Sequence, residues 1–88
     1  MNLIYDDINT RVVLEDDSEV AFYTNTFNSE DEYCSDKVVN NVINMYNNKN
    51  SSKNILIEID AYLLDENECT QDSREIIMEG LFLLIQKV

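Results

Sequence analysis

The amino-acid sequence predicts an α+β fold, a two-layer domain with two helices on one face of a mainly antiparallel sheet of three to five strands, in the order (β)ββαβ(β)α. Three observations lead there. Two runs rich in β-branched residues flank an acidic tetrapeptide early in the chain, a strict apolar alternation occupies residues 54–60, and residues 30–47 and 73–88 carry apolar side chains at helical spacing. With 88 residues, the chain is one domain, 1–88, which buries only roughly 60% of its unfolded surface.

The first run, Ile8 to Leu14, and the second, Glu19 to Phe27, are separated by Glu15-Asp16-Asp17-Ser18. They read as a β-hairpin with a four-residue acidic tip, and Leu3 to Tyr5 add a short strand before it. Ser29-Glu30-Asp31-Glu32 matches a capping box, in which Ser29 accepts from the amide of Glu32 and the Glu32 carboxylate reaches back to the amide of Ser29. Val38, Val39, Val42, Ile43, Met45 and Tyr46 then form one apolar stripe, so a helix spans about 30–47. The polar stretch Asn47 to Lys53 ends it.

In residues 54–60, Ile55, Ile57 and Ile59 share one face of an extended chain while Leu56, Glu58 and Asp60 share the other, the pattern of a half-buried strand. Ala61 to Leu64 extend it or start a partner strand, and Asp65 to Glu68 close the segment. A second helix starts near Asp72 or Ser73, with Asp72 and Glu75 as a capping pair. Its apolar residues, from Ile76 to Val88, cover more than half of the circumference. A helix so apolar requires cover on most sides, by central packing on the sheet or by a second copy through residues 73–88.

Composition narrows the function. Eighteen Asp and Glu stand against six Lys and Arg, with no His, no Pro and one Gly, for a net charge of −12. Without His there is no imidazole base, no Ser-His-Asp or Cys-His catalysis and no His-ligated metal. One Gly is too few for a phosphate-cradling loop. A field of this sign repels nucleic acid and anionic lipid and attracts basic protein surfaces. At 44% hydrophobic residues, the chain has the apolar surface to fold rather than remain disordered. Cys34 and Cys69, with no CxxC pair, read as two reduced thiols. There is no basic, apolar leader, and no apolar run approaches the roughly 18 residues that cross a bilayer, so the expected location is the cytoplasm, that of the host cell if the chain is phage-encoded.

The acids bunch at Asp6-Asp7, Glu15 to Glu19, Glu30 to Asp36, Glu58 with Asp60, and Asp65 to Glu68. Glu58 and Asp60, on one face of a strand, could begin a Mg²⁺ or Ca²⁺ site. Asp65, Asn67 and Cys69 imitate the opening of a Ca²⁺ loop, but Thr70 stands where that loop needs Gly and Ile76 where it needs Glu. The expectation is therefore no cofactor, no metal and no catalytic residue. Twelve Asn side chains lie among the acids and add neutral hydrogen-bonding groups. Together these features predict a protein that offers carboxylates to a basic groove. Proteins that grip duplex DNA do so with ordered Lys and Arg facing one negative charge per about 1.7 Å. The expected contact set is Glu15, Asp16, Asp17, Glu19, Glu30, Asp31 and Glu32, with Asp65, Glu66 and Glu68 beside it.

In size, charge and lack of catalytic residues, the chain looks like the small acidic inhibitors, anti-CRISPR and antirestriction proteins among them, that phages and plasmids use against host nucleases. No motif underlies the likeness, and no functional residue is carried over from it. It implies a non-enzymatic protein whose partner is a nuclease or another basic nucleic-acid-binding complex, without direct binding of nucleic acid or membrane. Two other functions fit the same features: an immunity protein or antitoxin that neutralises a basic toxin, and a structural or regulatory subunit that dimerises through the last helix.

Overall fold

The computed structural model describes residues 2–6, 11–16, 34–48 and 53–87. Among them are two short strands, β1 (Leu3–Asp6) and β2 (Arg11–Leu14), and three helices, α1 (Asp36–Asn48), α2 (Lys53–Asp65) and α3 (Gln71–Lys87). The expected sheet of three to five strands is overturned. The described sheet is a two-stranded antiparallel hairpin, and helices make up most of the described chain.

In the hairpin, Leu3 pairs with Leu14 and Tyr5 with Val12. The period of two puts Leu3, Val12 and Leu14 in the core while Ile4 points outward. Leu3 to Asp6 thus pair with Arg11 to Leu14 of the first run, whereas the sequence set residues 19–27 opposite it. That second run, like the acidic tip beyond Asp16, lies outside the described residues.

The apolar stripe of α1 is Val38, Val39, Val42, Ile43 and Tyr46, all buried. The stripe is as predicted, but the start of the helix is not. Ser35, not Ser29, is the cap of α1: its Oγ accepts from the Val38 amide at 3.3 Å, and its carbonyl accepts from the Val39 amide at 3.0 Å. The Ser35 amide donates to the Glu68 carbonyl at 2.9 Å in a bridge, and this extended backbone at residues 34 and 35 keeps the helix from reaching back to residue 30. The Ser29–Glu32 capping box lies outside the described residues.

Residues 54–60, expected as a strand, and 61–64, expected to extend it, are helical. Ile55, Ile59 and Leu63 are buried, whereas Ile57, which should share a strand face with Ile55 and Ile59, is 72% exposed. Ile55, Ile59 and Leu63 fall on one face of either a strand or a helix at i, i+4, i+8, and only the exposure of Ile57 separates the two. α2 packs against both α1 and α3, and α1 also packs against β1. The last helix is therefore not the central element; it packs against α2 alone among the described elements.

α3 begins at Gln71, just before the expected start. Its cap is Thr70, whose Oγ1 accepts from the Ser73 amide at 3.2 Å and whose carbonyl accepts from the Arg74 amide at 3.0 Å. The expected Asp72 and Glu75 pair is not this cap; both residues lie within the helix and are exposed. Ser73, Ile77, Gly80, Leu81 and Leu84 face inward. Phe82 and Leu83 are each 50% exposed, so the described chain covers one side of this helix rather than most of it. Among the described residues, no helix is long and apolar enough to cross a membrane.

Candidate acidic interaction surface

Of the ten acids expected to meet a partner, five are described. Glu15 and Asp16 form the exposed turn that follows β2. Asp65 is the last residue of α2 and is exposed, Glu66 is half-buried, and Glu68 is exposed in the turn before α3. Asp17, Glu19, Glu30, Asp31 and Glu32 lie outside the described residues.

Hydrogen bonds locate the two described groups against the ends of α1. At the C-terminal end, the Asn47 side chain holds the backbone of Leu3, and the Glu15 amide donates to the Asn2 carbonyl at 2.8 Å. This puts Glu15 and Asp16 beside the last turn. At the N-terminal end, the Ser35 hydroxyl donates to Glu68 Oε2 at 3.3 Å, and the Tyr5 hydroxyl donates to Asp36 Oδ1 at 3.0 Å. Asp36, the end of the 30–36 bunch and the neighbour of Ser35, thereby joins Asp65, Glu66 and Glu68, a meeting that no local pattern marked. The two groups stand about 20 Å apart, the length of a 13-residue helix. They form two acidic ends rather than one patch.

The metal reading of Glu58 and Asp60 is corrected by the helix. Two positions apart on α2, they point about 200° apart around the axis and cannot close on one ion. Among the described residues, no group of three His, Cys, Asp or Glu could hold a metal ion. A cleft of about 240 Å³ lies between α2 and α3, lined by Asp60, Leu64, Gln71, Arg74, Glu75 and Met78. It is smaller than the roughly 300–1,000 Å³ of small-molecule sites, and no Cys, Ser, Thr or Lys lines it as a nucleophile.

Sequence reasoning missed one juxtaposition. Cys34 and Cys69 face each other in an isolated antiparallel bridge just before the starts of α1 and α3, and both are reduced and buried. The Cys34 thiol donates a hydrogen bond to Cys69, which together with burial and the charges of Cys69 and Glu66 pushes the Cys34 pKa up. The same hydrogen bond, with help from the Arg74 guanidinium, lowers the pKa of Cys69 against the opposing effects of burial and Glu66. No signal short of the fold pairs two residues 35 positions apart.

The tyrosines are used for structure where they are described. Tyr46 is fully buried, Tyr62 accepts from Asn41 Nδ2 at 2.9 Å between α2 and α1, and Tyr5 is half-buried against the core. No protein-family model, curated protein or solved structure matches the chain.

Proposed function

We propose that this protein is a small acidic, non-enzymatic inhibitor that binds a basic nucleic-acid-handling protein and occupies its groove as a nucleic-acid mimic. This is the manner of the inhibitors that phages and plasmids direct against host nucleases. The observation that supports the reading is the net charge of −12, carried in part by exposed carboxylates at both ends of α1. A rigid separation of about 20 Å corresponds to roughly twelve charges of a duplex at one per ~1.7 Å. Two such ends on one short helix can engage separate basic stretches of one groove.

Asp65 supports the same reading. It ends α2, whose last turn has no basic residue, and a carboxylate there opposes the helix dipole by roughly 0.3–1 kcal/mol. An acid at that place does not serve the stability of the helix.

The experiment is capture of a basic partner from bacterial lysate on the tagged protein, with elution by salt and, in parallel, by duplex DNA. A nuclease or nucleic-acid-binding complex displaced by both is the expected result. Replacing Glu15, Asp16, Asp65 and Glu68 with Lys should then abolish capture with the circular dichroism unchanged. Capture that resists DNA and survives these reversals would remove the proposal.

The half-exposed Phe82 and Leu83 on α3 favour a second reading, a subunit that self-associates through residues 73–88. Sedimentation at tens of micromolar separates the two: a monomer excludes the second, and a dimer abolished by Phe82→Glu supports it.

A further inference from the structure

The Ser35 amide to Glu68 carbonyl bond joins the neighbours of Cys34 and Cys69 rather than the cysteines themselves. The two cysteines are therefore the non-hydrogen-bonded pair of their antiparallel bridge. Such pairs hold their Cα atoms about 4.5 Å apart, within the roughly 4.4–6.8 Å that a disulfide spans. Backbone pairing has already brought the two side chains together. Each residue is at most 7% exposed, so a small oxidant reaches them more readily than another protein does.

We propose that Cys34 and Cys69 are a redox modification site, joined by a reversible intramolecular disulfide when hydrogen peroxide oxidises them. Cys69 is the attacking sulfur. Each cysteine lies just before a helix cap, Cys34 before Ser35 and Cys69 before Thr70, but a guanidinium, that of Arg74 in the first turn of α3, favours the thiolate of Cys69. The Cys69 thiolate attacks one peroxide oxygen, the O–O bond breaks, and the departing hydroxide takes a proton to become water. Cys69 is left as a sulfenic acid. The Cys34 sulfur then attacks the Cys69 sulfur, the S–S bond forms as the S–O bond breaks, and the hydroxyl leaves with the Cys34 proton as a second water. Two thiols and one peroxide give one disulfide and two waters, with two electrons passing from sulfur to oxygen.

The cross-link would join the approach to α1 with the approach to α3, two helices that do not pack against each other among the described residues. It closes a loop with 34 residues between the cysteines. A loop of that length limits the unfolded chain enough to raise the Tm on the order of 10 °C or more. Oxidation thus makes the contact between these two segments permanent, and reduction restores its freedom to open.

The test is treatment of the reduced protein with a small excess of hydrogen peroxide, followed by alkylation, intact mass and peptide mapping. The expected product is a monomer 2 Da lighter, with one cross-linked peptide pair containing Cys34 and Cys69 and a raised Tm. Dithiothreitol should reverse both changes. Cys34→Ser should stop at a Cys69 sulfenic acid trapped by dimedone, and Cys69→Ser should leave Cys34 unreactive under the same conditions. An unchanged mass, stable addition of oxygen without the 2 Da loss, or disulfides only between chains would overturn the site. Equal reactivity of the two single variants would overturn the assignment of Cys69 as attacking sulfur. The wild-type mass decides the site even where a variant fails to fold.

Discussion

The side-chain amide of Asn47 closes a two-bond ring on the backbone of Leu3, accepting from its amide at 2.8 Å and donating to its carbonyl at 3.0 Å. Leu3 pairs with Leu14, but the neighbouring bond, from the Glu15 amide to the Asn2 carbonyl, shows that Leu3 turns its own amide and carbonyl away from β2. Asn47 therefore does for the open edge of β1 what a third strand would do. Asn47→Ala leaves both backbone groups without that partner and should destabilise the fold by about 1–3 kcal/mol. Urea unfolding measures it, and a change below about 0.5 kcal/mol would show that the clasp carries no weight.

Ile57 and Ile59 distinguish a helix from a strand at residues 53–65. On one strand face they would be equally buried, but here Ile59 is fully buried and Ile57 is mostly exposed. Ile59→Ala should cost about 2–5 kcal/mol, and Ile57→Ala should stay within about 0.5 kcal/mol. Equal losses in urea unfolding would contradict the helix.

Tyr46 places its hydroxyl in the core with no hydrogen-bond partner among the described residues, and the Ser73 hydroxyl is in the same position. A buried polar group without a partner costs free energy that a matching apolar side chain does not. Tyr46→Phe keeps the ring that fills the core and should leave stability unchanged or raise it by up to about 1 kcal/mol. A loss of more than 1 kcal/mol on thermal or urea unfolding would reveal a hydrogen bond to that hydroxyl.

The two thiols give stability a pH dependence with opposite signs. Cys69 ionises in the folded protein below the ordinary thiol value of 9.0, so its contribution is complete above 9.0 and is lost as pH falls through the lowered value. Cys34 resists ionisation when folded; its contribution is complete below 9.0 and is lost as pH rises further, because the unfolded chain then releases the proton that the folded one keeps. The stability of the wild type relative to a Cys34→Ser, Cys69→Ser double variant should therefore rise as pH approaches 9 and decline beyond it. Urea midpoints measured under reducing conditions from pH 7 to 10 check this, and a flat difference would contradict it.

Local patterns were legible wherever one periodicity had a single reading. The stripe from Val38 to Tyr46 repeats at helical spacing over more than two turns, and α1 follows it. The strand at Leu3 to Tyr5 and the helix that follows Thr70 were also visible. At residues 54–60, three isoleucines raised the weight of a strand, and seven residues were too few for alternation to exclude a helix. The start of α1 was misplaced for a different reason. Ser29 and Glu32 form a good local capping box, but Ser35 lies in a bridge to a residue 33 positions away, and no window around residue 30 contains that partner.

The sequence by itself determined that the protein is strongly acidic, that imidazole chemistry is excluded, that its described helices have the apolar stripes to pack, and that its acids come in bunches. These are properties of composition and of near neighbours, which every conformation of the chain shares. The tertiary structure alone decided that α2 lies between α1 and α3, that the acids of residues 15–16 and 65–68 stand at opposite ends of one helix, and that Cys34 meets Cys69. Those relationships depend on contacts between residues tens of positions apart, which form only when burial of the common core of hairpin and helices fixes how the segments meet.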